Sequence, residues 1–439
     1  MVTSLNKSEL SAGVRQEIVI VDPVCAKRAG HNLPTLSKYA TFFSDHGHRV
    51  VAVHVASTFV EAPAGVIADL TFNYTPFFDP ELSSRHHLRD KRIARGFGPN
   101  AIREATKFFV GYPILHYRAA RAAYRDLFRL MTKYPDAILF FPGADFYVIW
   151  AVRELAKAGL LQNRKLSLRL MGVMETAGFM PVPEQVVPQL IKDIVCAAAD
   201  SVTLTAETEK YARRIESWSQ VHVPVTLIPA FSAGNTSSRL KPRRVHVTSA
   251  ASPLVLGFLG GARADKGYAE LPEIAHQLYA RFGLAVRCHI QTMAPHEPYY
   301  SRSDNNSLAR WPNVHLLPTT MSDEQLIRAI QECHALVLPY SIGTYEWRGS
   351  AMLFDALSMG IPVMGRRGTA FGESIDSFGL GYTFQHPSEF VTHVGSFIET
   401  VEREETNDVW SRAAANYLLT LETALNSSVI PNEKVVYIH

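Results

Sequence analysis

Short apolar runs alternate with longer stretches of helical period along most of this chain, and that alternation narrows the available folds. A strand followed by a helix cannot turn straight back as a hairpin. The next strand lies parallel to the first, joined to it by the crossover helix. Glu17-Ile18-Val19-Ile20-Val21-Asp22 reads as a buried strand closed by Pro23. Leu33 to His46 reads as a helix, with Leu36, Tyr39, Ala40 and Phe43 on one face and Gly47 as its C-cap. Arg49–Val55 is a second strand, Ala137–Phe141 a third stopped by Pro142-Gly143, and Leu166–Val173 a fourth. Ser201–Leu204 and Val225–Ile228 are shorter candidates. Residues 232–253 are polar and aperiodic and read as a linker.

The same rhythm then restarts. Leu254–Leu259 is a continuous apolar strand ending in Gly260-Gly261, and Gly267–Phe282 has helical period. Val286, Cys288 and Ile290 alternate in a strand, and Val314–Leu317 is the next. Ser322 and Gln325 form a capping box for a helix reaching about His334. Ala335–Leu338 is a strand ended by Pro339, Ser350 caps a helix running to Met359, and Ile361–Met364 starts another strand. Val409, Trp410, Ala413, Tyr417, Leu418 and Leu421 make one apolar helical stripe. The expectation is an α/β chain with two similar parallel-sheet halves.

Composition removes other classes. With 47% hydrophobic and 19% charged residues over 439 positions, the chain is neither disordered nor fibrous. No long uncharged apolar run predicts a membrane span, and the polar start, Met1–Leu10, lacks the apolar core of a secretory signal. Cys25, Cys196, Cys288 and Cys333 are too far apart for a CxxC zinc site or a disulfide scaffold and suit a reducing cytoplasm. Net charge is only +3, yet residues 85–133 hold 12 basic and 3 acidic side chains. Phe97, Phe108, Phe109, Tyr112, Tyr117, Tyr124 and Phe128 interleave with them. Tyr117, Arg118, Arg121, Tyr124, Arg125, Phe128 and Arg129 suggest an amphipathic helix. It suits peripheral attachment to an anionic membrane or a lipid-linked acceptor, or else packs its aromatics on the sheet with its arginines in solvent.

Ligands of parallel α/β sheets bind beyond the C-terminal ends of the strands, so the residues there are the candidates for chemistry. After Leu259 come Gly260, Gly261, Arg263, Lys266 and Gly267. Two glycines permit close backbone approach, and two cations precede a helix N-terminus; this is an anion site suited to a diphosphate, or an ordinary solvated turn. After Pro339 a loop leads to Arg348-Gly349-Ser350 and a helix carrying Asp355, again with N–H groups facing an anion. Asp355 is placed to hold a vicinal diol such as ribose, or simply to pair with the helix dipole. Glu346 is placed to bind sugar hydroxyls, or is a solvated loop acid. In the first half, His31, Asp145 and Glu175 follow strand ends. A neutral imidazole at His31 can act as base or donor near neutral pH, while Asp145 also suits a helix cap.

Four stretches, Gly260–Gly267, Asn313–Met321, Cys333–Tyr340 and Glu346–Val363, together resemble in order and spacing the donor domain of GT-B glycosyltransferases. The similarity is to the large retaining family 4, or group 1, and covers residues 254–384. Over the first half it is architectural only. The resemblance implies two Rossmann-like domains facing a cleft, with boundaries at 1–235 (acceptor side), 236–252 (linker) and 253–400 (donor side). A C-terminal helix over 401–439 is expected to pack back on the first domain. It implies that Lys266 binds the donor diphosphate with Arg263 as helper. Gly349, Ser350 and Ala351 then offer N–H groups to the distal phosphate, next to Arg348. Asp355 holds the ribose, Leu317 and Pro318 cradle the base, and Gly30 and Gly261 lie in the glycine loops. His31 and Glu346 are its catalytic candidates, and Asp145 and Glu175 its acceptor-side ones.

The motif departs from the family pattern at three places. The basic residue expected directly after the strand glycine is Gly261, the second Glu of E-x7-E is Asp355, and the first falls on Trp347, one position after Glu346. The implied activity is transfer of a sugar from a nucleotide-sugar donor to a glycan or lipid-linked acceptor. It is expected to retain configuration, to need no metal or cofactor, and to take place in the cytoplasm or at the cytoplasmic membrane face. The competing readings are a nucleotide-sugar epimerase on the same fold and a non-catalytic nucleotide- or glycan-binding protein. No nucleic-acid-binding module is recognisable.

Overall fold

The computed structural model describes residues 16–23, 32–55, 67–72, 112–172, 186–229, 249–260, 263–293, 302–402 and 407–429. The chain divides into two units, one of residues 1–207, 212–229 and 424–439, the other of 208–211 and 230–423.

In the first unit β1 (Glu17–Val21), α1 (Asn32–Asp45), β2 (Arg49–Val55) and β3 (Ile67–Phe72) are followed by α2 (Tyr112–Lys133) and β4 (Ile138–Ala144). Then come α3 (Phe146–Lys157), β5 (Lys165–Leu170), α4 (Val186–Ala198), β6 (Val202–Ala206) and α5 (Glu209–Ser219), which is grouped with this unit from Ala212 onward. The sheet is parallel throughout, in the order β3-β2-β1-β4-β5-β6. Its central strand β1 is the unbroken apolar run Ile18–Val21, each residue fully buried. Such runs are what a strand covered on both faces requires.

Three local features differ from the sequence reading. Strand β3 is not among the strands expected from the sequence. It pairs with β2 alone, at the sheet edge, and its Asp69 and Thr71 dilute the apolar signal. Strand β4 does not stop at Pro142-Gly143 but runs to Ala144. Proline is normally barred from a central strand. Here the pairing with β1 ends at Phe140 and the register with β5 shifts between Phe141 and Ala144, so the proline sits at an irregularity. Val225–Ile228 makes only an isolated bridge, Ala206 to Val225.

The second unit begins with β7 (Leu254–Phe258), α6 (Leu271–Phe282), β8 (Val286–Gln291), α7 (Arg302–Leu308), β9 (Val314–Leu317) and α8 (Asp323–Gln331). It continues with β10 (Ala335–Leu338), α9 (Ile342–Tyr345), α10 (Ala351–Ser358), β11 (Val363–Arg366), α11 (Ala370–Phe378), β12 (Gly381–Phe384) and α12 (Pro387–Glu402). Helix α13 (Asn407–Val429) follows and is grouped with the first unit from Ala424 onward. The sheet is again all parallel, in the order β12-β11-β10-β7-β8-β9. Numbered from its own first strand this is 6-5-4-1-2-3, the order of the first sheet read from the other edge. Both halves therefore carry the doubly wound arrangement in which the chain reverses direction beside the first strand. Leu254, Leu256, Phe258, Ile274, Leu278, Cys288, Ile290, Val337, Phe390 and Phe397 form the core of this unit. Ser322 and Gln325 close the expected capping box of α8. The stretch after Gly267 is not one helix. A 3-10 turn, Tyr268–Glu270, precedes α6, because Gly267 is left-handed and Pro272 fits only the first helical turn.

Candidate functional site

The reversal point of the second sheet lies between β7 and β10, and the loops leaving those two strands come together there. Leaving β7, the chain turns at Gly260, with φ of +97°, a conformation that favours glycine. A side chain there would also strike Met352 of α10, whose Cγ lies 2.5 Å from the position of a Cβ. Gly267, with φ of +77°, is still tighter, since its Cβ would lie 2.1 Å from the Pro339 carbonyl oxygen. The Ser341 N–H donates to the Asp265 carbonyl at 2.9 Å, so the loop after β7 rests directly on the loop after β10.

Arg263 and Lys266 both project into this junction. The Arg263 guanidinium makes a fork of two 2.9 Å bonds to the Asp265 carboxylate and donates a third at 3.0 Å to the Tyr345 hydroxyl. Burial works against its charge, but the hydrogen bond and charge of Asp265, with Tyr345 and Tyr340, together outweigh it and raise its pKa. The Lys266 ammonium donates to the Gly260 carbonyl and lies 5.4 Å from the centre of the Tyr340 ring. Burial and then Tyr345 hold the Tyr340 phenol protonated far above its usual range, with neighbouring Ser350 acting the other way. Phe258, Arg263, Lys266, Gln291, Pro339 and Tyr340 line a cavity at this place.

Arg348 lies 5.2 Å over the Tyr345 ring. Ser350 occupies the N-cap position of α10 without using its side chain as a cap. With Gly349 before it and Ala351 as the first helical residue, backbone N–H groups at this terminus remain available to an anion. Asp355 sits one turn inside α10 and is 3% exposed. Glu346 closes α9 and is half-buried. Trp347, at the place of the motif's first acid, accepts from the Thr208 hydroxyl at 3.3 Å through its carbonyl. Its ring lies 5.1 Å from the Lys210 ammonium of the same unit.

Leu317 ends β9, the edge strand, and Pro318 follows it, at the same end of the sheet as the β7 and β10 loops. Thr292 donates its N–H and its hydroxyl to the Leu317 carbonyl, at 3.1 and 2.9 Å. The structure thus brings Arg263, Lys266, Arg348, Gly349, Ser350, Ala351 and Asp355 to one end of one sheet, with Leu317 and Pro318 along its edge. In the first unit, Asp145 accepts from the Val148 N–H at 2.8 Å and is 8% exposed, so its carboxylate is the N-cap of α3. Gly30, His31, Glu175, Gly261 and residues 85–111 of the basic stretch lie outside the described residues. Among the described residues no cluster of three His, Cys, Asp or Glu side chains is arranged to hold a metal ion.

The sequence reading did not single out Asp265, Gln291, Tyr340 or Tyr345 as parts of this site. Gln291 carried little signal, because it falls on the same alternating face of β8 as Arg287 and His289, where a polar residue is ordinary. Tyr340 and Tyr345 looked like ordinary loop aromatics because their partners are distant in the chain.

No family model and no curated protein matches the chain. Its fold is similar to that of solved structures. One is a glycosyltransferase from Rickettsia africae ESF-5 (TM-score 0.57, 10% identity, 96% of this chain and 100% of that one). A second is Alr3699/HepE from Anabaena in complex with UDP and glucose (0.52, 14%, 95% and 100%). A third is an α,α-trehalose-phosphate synthase (UDP-forming) from Burkholderia vietnamiensis (0.59, 11%, 95% and 97%). The likeness extends over both units, and the two parallel sheets of equal strand order are those of the GT-B fold that such glycosyltransferases share.

Proposed function

We propose that the chain is a retaining glycosyltransferase that moves a hexose from a nucleoside-diphosphate sugar to a glycan or lipid-linked acceptor in surface polysaccharide or glycolipid synthesis. The observation that carries this reading is the junction of the β7 and β10 loops. There two cations, a left-handed glycine and the N-terminus of α10 converge at the reversal point of a parallel sheet. Departure of a nucleoside diphosphate develops negative charge on its distal phosphate. Lys266, Arg263 and the N–H groups at Gly349, Ser350 and Ala351 are the groups assigned to meet it, and no cofactor or metal is assigned. Lys266 exchanges its bond to the Gly260 carbonyl for phosphate oxygens. Asp355 holds the ribose hydroxyls, Leu317 and Pro318 flank the base, and Glu346 binds sugar hydroxyls. His31 is the acceptor-side group we assign to the proton.

Thermal unfolding against UDP, GDP, ADP, TDP and CMP at equal millimolar concentration tests this. A ligand at about 100 times its dissociation constant adds roughly 2.7 kcal/mol. One nucleoside diphosphate is expected to raise the midpoint by several degrees more than the rest, and five flat responses would sink the reading.

The acceptor is assigned to an anionic membrane surface on the strength of α2. Tyr117 and Phe128 are 56% and 45% exposed, and Arg118, Arg121, Arg125 and Arg129 share that outward face. Asp126 is turned inward and buried. Exposed aromatics beside arginines at helical spacing suit the interface of anionic lipid, where each cation contributes about 1 kcal/mol. No helix among the described residues is long and apolar enough to cross a membrane. Co-sedimentation is expected with vesicles containing phosphatidylglycerol but not with phosphatidylcholine alone. It should weaken as salt is raised and in the double variant R121E/R125E. Equal recovery with both vesicle types removes the assignment.

A further inference from the structure

Gln291 closes β8, is 7% exposed, and uses both ends of its amide. Its Oε1 accepts from the Gly260 N–H at 3.0 Å. Its Nε2 donates to the Thr319 carbonyl, also at 3.0 Å. One short side chain therefore spans from the turn after β7 to the loop after β9. Thr292 beside it fastens the start of that second loop through its two bonds to the Leu317 carbonyl. Shielded from water, such bonds are stronger than surface ones, and losing one leaves a backbone group without its partner.

We propose that Gln291 is the positioning residue that couples the nucleobase subsite to the diphosphate subsite and so sets which nucleoside the protein accepts. The inference rests on the donor-site reading above, in which Gly260 approaches the diphosphate and Leu317-Pro318 flanks the base. Gln291 touches neither part of the ligand. It fixes the distance between the two backbones that do. The amide serves both, because it accepts at one atom and donates at the other. A carboxylate at this position keeps the bond from the Gly260 N–H but turns a second acceptor toward the Thr319 carbonyl, releasing the base loop alone.

The test is isothermal titration of the full chain with UDP, GDP, ADP and TDP, comparing the wild type with Gln291→Glu and Thr292→Val. These ligands carry the same diphosphate, so the ratio of their affinities is blind to the charge that the glutamate adds. The wild type is expected to prefer one nucleoside. Gln291→Glu should shrink that preference about tenfold, the equivalent of one buried hydrogen bond. Thr292→Val keeps the shape and branching of the side chain and should shrink it about threefold. Should the glutamate variant fail to fold, the valine variant decides by itself. A uniform loss across all four nucleotides with the ratio unchanged indicates a merely structural role and overturns the inference, as does a wild-type ratio in both variants. A wild type that binds none of the four overturns the donor-site reading and this inference together, a different result from a wild type with a preference that the variants keep.

Discussion

Gly267→Ala is expected to lower the thermal midpoint of the second unit by roughly 5–15 °C and to abolish nucleotide binding. Two costs combine. The left-handed φ of +77° disfavours any side chain by about 1–2 kcal/mol. The added methyl would also lie 2.1 Å from a main-chain oxygen, that of Pro339, which cannot rotate away. Forcing the two loops apart brings the total to roughly 2–4 kcal/mol. In a unit of this size each kcal/mol moves the midpoint by about 2–4 °C. The control is Gly343→Ala. That glycine has no left-handed φ and nothing within 4 Å of its Cβ position, so its midpoint should stay within about 1 °C. Calorimetry of the two variants decides, and equal midpoints would refute the claim that this loop contact is tight.

Lys266→Ala should weaken nucleoside diphosphate binding by about 30- to 100-fold, the equivalent of roughly 2–3 kcal/mol for a charge-assisted bond in a partly buried site. Stability should scarcely change, because the side chain is only half-buried and borders an existing cavity. Lys266→Arg should recover part of the affinity, since it restores the charge but not the compact ammonium that fits beside Gly260 and Tyr340. Titration of all three proteins with the nucleotide selected by thermal unfolding provides the check. An alanine variant within twofold of wild type would remove Lys266 from the diphosphate site.

The class of fold was legible because its signal is local. Runs such as Ile18–Val21 and Leu254–Phe258 are apolar at every position, and only strands covered on both faces read that way. The glycines at 260 and 267 and the cations at 263 and 266 were legible for the same reason, since all lie in the segment directly after β7, and the Ser350 helix start was legible from the apolar helical run that follows it. What was hidden depends on distance along the chain. Nothing near Tyr345 announces Arg263, 82 residues away, and nothing near Gln291 announces Gly260, 31 residues away. Asp145 shows the opposite difficulty. Its position after a strand suited catalysis and helix capping equally, and its bond to the Val148 N–H accounts for it as a cap. Strand β3 and the continuation of β4 through Pro142 were missed because an edge position and a register shift each permit residues that a regular inner strand would refuse.

The shared strand order has a consequence for how the chain is made. In each sheet the first strand waits for the fourth, since β1 pairs with β4 and β7 with β10. About 120 residues separate the first pair and about 80 the second. At a synthesis rate of about 5–20 residues per second, β1 leaves the ribosome roughly 6–24 s before its inner neighbour, and β7 roughly 4–16 s before its own. During that interval a largely apolar strand has one edge without a partner, a condition under which nascent chains can associate wrongly. Each half of the protein thus passes through its own interval with an unpaired inner edge, and slowing translation prolongs both.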